Sequence, residues 1–271
     1  MKNKIRFLVL WVGSKCTLKC RDCCNLIPYL EQKTYSVDSI INNINYITQD
    51  MEIELLQIQG GEPFTHKYIS EIIEKCAINN HIHKIEIASN GTILPNEDTI
   101  KVIKKYSDKI SIRFSGYNCT ENIRKNVEQK LNMLYGIDVK EYKFMYDTGE
   151  WFELGGINSK KDIDNDVINR TYMKCPNKSC WTLAENYFAG CGRMIAYLQL
   201  KKENTNGNNI IDLAKIKNDG KKFIDEFQKF EEWYNTRASE LCGYCKISDN
   251  LIPAAIQMSL EEIKSEKDKR S

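Results

Sequence analysis

Cys16, Cys20 and Cys23 bring three thiols together on one short stretch of chain, in the spacing C-x3-C-x2-C. Such a trio can ligate three irons of a [4Fe–4S] cluster and leave the fourth iron open to a small molecule. Zinc is the alternative. It prefers four N/S ligands, usually as two C-x2-C pairs or a Cys/His mixture. Cys24 follows Cys23 directly, and adjacent residues in extended chain point opposite ways, so it is a poor fourth ligand. A second group, Cys175, Cys180, Cys191, Cys242 and Cys245, lies far down the chain. Eleven cysteines against three histidines favour thiolate-bound iron–sulfur over zinc or histidine acid–base chemistry. Two clustered groups suit metal sites in a reducing cytosol better than disulfides, which a chain of 271 residues does not need.

The rest of the composition narrows the partners. Net charge is +2, so no electrostatic case exists for nucleic acid. The start MKNKIRFLVLWVG has a basic, apolar character but no small-residue cleavage pattern, and it reads as a buried strand rather than a signal peptide. No stretch approaches the roughly 20 apolar residues of a membrane span. The expectation is a cytoplasmic protein with neither membrane nor nucleic-acid partner.

Elements that could position the cysteines follow in regular alternation. Residues 5–12 form a continuous apolar run of strand length, and the first cysteine loop comes straight after it. Ser36 is set to cap a helix with Val37, Ile40, Ile41, Ile44 and Ile47 on one face. Strands are predicted at 54–59, 84–89, 109–115 and 139–146. The intervening helices begin after Thr65, near Asp98 and near Thr120. Cys76, on the second helical stripe, reads as a small buried hydrophobe. Alternating strands and helices imply a parallel α/β sheet, here an open partial (β/α) barrel of five or six units. Its chemistry belongs at the C-terminal strand ends. There the chain places the cysteine loop, Gly60-Gly61-Glu62-Pro63 and Ser89-Asn90-Gly91-Thr92. The alternation stops after Tyr146, so two domains are expected: 1–165, and a small cysteine-rich domain over 166–271. Within the latter, 210–213 reads as a short strand and Phe223, Phe227 and Phe230 as the core face of a helix. The charged tail from Glu261 reads as a solvated helix or frayed end.

The cysteine trio followed by Gly60-Gly61-Glu62-Pro63 resembles the radical S-adenosylmethionine (SAM) family. The resemblance implies that the GGEP segment hydrogen-bonds the methionyl amino group of SAM. Glycines let a backbone approach a ligand closely, and a carboxylate can receive an ammonium. Ser89 and Asn90 resemble the family's ribose- and carboxylate-contacting positions, and Arg113 and Ser115 lie on the strand where members of that family also touch SAM. One position departs from the pattern. The family carries an aromatic residue before the third cysteine, near the adenine, and this chain has Asp22, whose backbone would serve.

The later cysteines resemble the SPASM/Twitch extension, which carries auxiliary iron–sulfur clusters. By that likeness Cys180, Cys191, Cys242 and Cys245 would hold one auxiliary [4Fe–4S] cluster, with Cys175 as an alternative first ligand. A structural zinc remains the competing reading of these four thiolates. The resemblance implies reductive SAM cleavage to a 5′-deoxyadenosyl radical, hydrogen abstraction from a small-molecule substrate, and a flavodoxin- or ferredoxin-type electron donor. A sugar, aminocyclitol or nucleotide sugar fits best, because no residues remain for a leader-peptide-binding domain. An electron-accepting auxiliary cluster would give dehydrogenation; a thiol returning hydrogen, with Cys24, Cys119 and Cys175 as candidates, would give epimerisation. A peptide maturase and a zinc-stabilised, non-catalytic binding protein are the alternatives.

Overall fold

The computed structural model describes residues 3–142, 149–178, 180–201 and 210–269. Backbone contacts divide the chain into two compact units. The first comprises Met1–Thr17 and Gln32–Gly149; the second, Leu18–Glu31 and Glu150–Ser271.

In the first unit, strands β1 (Lys4–Trp11), β2 (Glu52–Gln59), β3 (Ile82–Ser89), β4 (Ile110–Ser115) and β5 (Val139–Tyr142) lie side by side in sequence order. All four pairings are parallel. Helices α1 (Val37–Thr48), α2 (Ile69–Ile78), α3 (Glu97–Lys105) and α4 (Glu121–Tyr135) make the crossovers. This is the α/β alternation the apolar runs predict. Leu8, Leu56, Ile85 and Ile112 are almost wholly buried, each contributing about 1.5–3 kcal/mol relative to an exposed side chain. Ser36 caps α1 by accepting from the Ser39 amide, and Asn96 caps α3 in the same way from Thr99. Cys76 is fully buried on α2, as its place on the stripe implies. The start of α2 differs from expectation. Pro63–Thr65 form a 3-10 turn, Thr65 donates its hydroxyl back to Glu62 O, and the helix begins four residues after it. The fifth strand is described to Tyr142; the rest of its predicted span, 143–146, lies outside the described residues.

The second unit holds β6 (Glu150–Phe152), α5 (Asn165–Met173), the hairpin β7 (Trp181–Ala184) and β8 (Tyr187–Ala189), and α6 (Gly192–Lys201). Next come β9 (Ile210–Asp212), α7 (Leu213–Asn218), α8 (Phe223–Thr236), β10 (Leu251–Pro253) and α9 (Leu260–Asp268). Strands β7, β8 and β9 pair antiparallel, as do β6 and β10. Trp181 centres the core, its ring 5.8 Å from Phe188, 5.4 Å from Phe227 and 5.4 Å from Tyr234. Phe223, Phe227 and Phe230 are buried on α8, where the periodicity puts them. The charged tail forms α9, fixed at its start by a capping box between Ser259 and Glu262. It is not free: Glu262 pairs with Arg21 at 2.6 Å and Glu266 accepts from the Tyr29 hydroxyl. Among the described residues, no helix is long and apolar enough to cross a membrane.

Candidate active site

Where β2 ends, Gly60 and Gly61 run directly against the backbone that follows β1. A Cβ on Gly61 would lie 2.1 Å from the Lys15 carbonyl oxygen. One on Gly60, at φ 150°, would lie 2.3 Å from that of Gly13. The Gly61 amide donates to Gly13 O at 3.0 Å and the Glu62 amide to Lys15 O at 2.7 Å. The glycines therefore lock the GGEP turn onto the start of the cysteine loop.

Glu62 is the buried charge of this edge, with 2% of its surface exposed. Its Oε1 accepts from Ser89 Oγ at 2.9 Å and the Phe64 amide at 3.1 Å, and its Oε2 from the Asn90 amide at 2.8 Å. Burial pushes its carboxyl up to about 7 despite these donors. A carboxylate has about four acceptor positions, so the three donors leave one for a further cation or N–H.

Asn90 carries the network on. Its Nδ2 donates to Thr17 Oγ1 at 3.0 Å and lies 3.7 Å from Cys16 Sγ, while its Oδ1 accepts from the Thr92 hydroxyl at 2.7 Å. Thr17 and Thr92 hydroxyl oxygens are 2.7 Å apart. Glu62, Ser89, Asn90 and Cys16 thus form one connected polar group. Thr17 and Thr92 belong to it although sequence reasoning passed over them. Their one signal is position, beside Cys16 and at the end of Ser-Asn-Gly-Thr.

Arg113 sits one strand further along, half-buried, with its Nε 2.9 Å from Glu86 Oε1. Gln57 Nε2 donates to the same Glu86 oxygen at 2.7 Å. Gln57, Glu86 and Arg113 make a polar row across β2, β3 and β4 that sequence reasoning also missed, apart from Arg113. Ser115 is half-buried at the end of β4, and Cys119 is exposed in the turn Asn118–Thr120.

Cys16 belongs to the first unit and Cys20, Cys23 and Cys24 to the second. Cys20 Sγ accepts from Gln257 Nε2 at 3.3 Å, and Gln257 Oε1 accepts from the Lys19 amide at 2.7 Å. The Met258 amide donates to Lys19 O at 2.9 Å, so residues 257–258 strap this part of the cysteine loop. Asp22 is half-buried, and burial raises its carboxyl above the usual range. Burial likewise raises the thiol of Cys23, whereas Cys24 is exposed.

In the second unit a small cavity is lined by Cys175, Cys191, Cys242 and Cys245, with Tyr172 and Arg193 beside them. Cys180, just before β7, is half-buried and does not line it. Burial is the main cause of raised thiols at all four positions, to about 11 for Cys175 and about 12 for Cys242; neighbouring thiolate charge adds to it at Cys175, Cys191 and Cys242, whereas Arg193 and Lys246 oppose it at Cys245. All eleven cysteines are free, and among the described residues no three His, Cys, Asp or Glu side chains meet as a single metal-ion site. The four thiols ring a void instead. Sulfur donors held protonated by apolar burial and mutual repulsion fit a cationic inorganic core, which would deprotonate them on binding.

Residues 12–133 match the radical SAM superfamily. This part of the chain is a radical SAM domain. BtrN, in complex with AdoMet and 2-DOIA, has a similar fold: TM-score 0.54 at 11% identity, over 94% of this chain and 98% of BtrN. With the family match over residues 12–133, this shared fold makes the parallel strands a radical SAM partial barrel. SuiB from Streptococcus suis aligns at 17% identity and TM-score 0.41, covering 52% of this chain and 33% of SuiB. AnSMEcpe with bound AdoMet aligns at 18% identity and TM-score 0.38, covering 49% of this chain and 43% of its own. The chain therefore spans about a third of the length of SuiB. A search of curated protein sequences found no match. A radical SAM domain implies SAM and a [4Fe–4S] cluster.

Proposed function

We propose that this chain is a radical SAM enzyme acting on a small substrate, of the sugar, aminocyclitol or nucleotide-sugar class, by dehydrogenation or epimerisation. The observation that carries this reading is the connected group Glu62–Ser89–Asn90–Cys16 at the ends of β2 and β3. It links a buried carboxylate with one acceptor position left to the first cysteine of the trio. Cys16, Cys20 and Cys23 would hold the SAM cluster. When bound, that cluster and SAM supply reductive cleavage to methionine and a 5′-deoxyadenosyl radical.

The protein's share is placement. Glu62 is poised to take the methionyl ammonium, whose charge would bring its raised carboxyl back into the ionised form at neutral pH. Asn90 orients the start of the cysteine loop, and Gly60, Gly61 and Pro63 keep the turn against it. Arg113, steadied by Glu86, and Ser115 offer polar contacts at the neighbouring strand end. The Asp22 backbone would take the adenine edge.

Cys175, Cys191, Cys242 and Cys245 would hold the auxiliary cluster in the cysteine-rich region 166–271. Their shared cavity favours Cys175 over Cys180 as first ligand. Ligation by Cys175 leaves Cys24 and Cys119 as hydrogen-donor candidates. Electrons would come from a flavodoxin- or ferredoxin-type donor in a reducing cytosol. The near full-length likeness to BtrN, seen with AdoMet and 2-DOIA, supports the small-substrate reading.

The direct test is anaerobic incubation of the reconstituted protein with dithionite and SAM, following 5′-deoxyadenosine by chromatography. Wild type should form it and Cys16→Ala should not. Equal formation by both proteins would overturn the reading.

A further inference from the structure

Arg193, in the first turn of α6, lines the same cavity as Cys175, Cys191, Cys242 and Cys245. It is buried, with only 3% of its surface exposed. Its Nη2 donates to Tyr197 Oη at 3.0 Å and to the Gly155 carbonyl, and its Nη1 to the Cys24 carbonyl at 3.3 Å. Tyr197 in turn donates to the Tyr244 carbonyl at 3.1 Å, and its ring packs against Tyr244 with centroids 4.8 Å apart. The guanidinium also lies close enough to the Cys245 side chain to lower its thiol. Its Nε has no hydrogen-bond partner among the described residues, and no carboxylate among them pairs with it.

A guanidinium cannot shed its proton, and a buried cation without a counter-charge is strongly unfavourable. Carbonyls and a phenol supply dipoles only. Of the groups around it that can carry full negative charge, Cys245 of the four-thiol set acts on it most strongly, with Cys24 and Asp22 also within reach of its charge. An iron–sulfur centre with four thiolates is net anionic and gains one more negative charge on reduction. A fixed, desolvated cation beside one ligand sulfur therefore favours the reduced form, since net charge and burial help set such potentials.

We propose that Arg193 is the positioning residue of the four-cysteine centre, its charge balancing the thiolates and holding the centre's reduction potential up. This rests on the reading that the four cysteines hold an iron–sulfur centre. The test uses the full chain with Cys16, Cys20 and Cys23 replaced by Ala, so that the four-cysteine centre is observed alone. Iron is counted after anaerobic reconstitution, and a redox titration is followed by electron paramagnetic resonance.

Arg193→Gln should lower the reduced-to-oxidised ratio at fixed applied potential by about tenfold, which is about 59 mV for one electron. Arg193→Lys, which keeps the charge, should change it less than about threefold. Loss of iron from Arg193→Gln but not Arg193→Lys would equally support a charge-balancing role. An unchanged ratio in an iron-loaded Arg193→Gln protein would overturn the proposal. So would loss of iron from both variants, because shape rather than charge would then matter. If the parent chain itself binds no iron, the four-cysteine reading fails first and the inference falls with it.

Discussion

Replacing Glu62 by Gln tests the buried carboxylate in two independent ways. The group is buried, and its carboxyl sits at about 7 in the folded chain against an ordinary 4.5. The folded state thus holds this proton more tightly than the unfolded state. Stability is therefore lost as pH rises from about 4.5 to about 7 and stays lost above that. Between pH 5 and pH 8 the loss from this one group is about 2.5 kcal/mol. Gln cannot ionise, so its stability should not fall over that window on this account. It does lose an acceptor oxygen, leaving one of the Ser89, Phe64 and Asn90 donors unmatched at about 1–3 kcal/mol. The variant should accordingly be less stable than wild type at pH 5 and close to it at pH 8. Urea unfolding of both apo proteins across pH 5–8 measures the difference, in which other titrating groups cancel. Parallel pH profiles would refute the burial argument. Separately, SAM affinity measured by equilibrium dialysis should weaken about 10- to 100-fold, the worth of a hydrogen bond to a charged group. An unchanged affinity would remove Glu62 from the SAM site.

Two further substitutions probe the neighbouring geometry. Cys175→Ser should cost the protein its auxiliary irons, about four of about eight, whereas Cys180→Ser should keep them; the reverse iron counts would return Cys180 to the ligand set. Gly61→Ala places a methyl 2.1 Å from a carbonyl oxygen that no side-chain rotation can relieve. It should lower unfolding free energy by about 1–3 kcal/mol or more, and a melting temperature within a degree of wild type would contradict the packing.

The parallel sheet was legible because strands covered on both faces must be apolar throughout. Residues 5–12 and 54–59 read as strands for that reason, and the helices between them announced themselves through caps such as Ser36. The GGEP turn was legible by type, but not its first function. Only the fold shows that the missing Cβ atoms of Gly60 and Gly61 make room for the Gly13 and Lys15 carbonyls. The row Gln57–Glu86–Arg113 was hidden because strand register, not spacing along the chain, brings those residues together. The choice between Cys175 and Cys180 was hidden for a related reason. Both precede the β7–β8 hairpin, and only the packing of the α5 C-terminus turns Cys175 into the cavity with Cys242. The tail read as a solvated helix from its charge, yet Glu262 and Glu266 find Arg21 and Tyr29 more than two hundred residues away.

On this reading the N-terminal trio and the four later cysteines each hold an iron–sulfur cluster. An anaerobic count of iron and acid-labile sulfide after reconstitution, on wild type and on the chain with Cys16, Cys20 and Cys23 changed to Ala, tests it most directly. About eight irons falling to about four is the predicted result. A colourless wild-type protein that binds zinc in place of iron would contradict it.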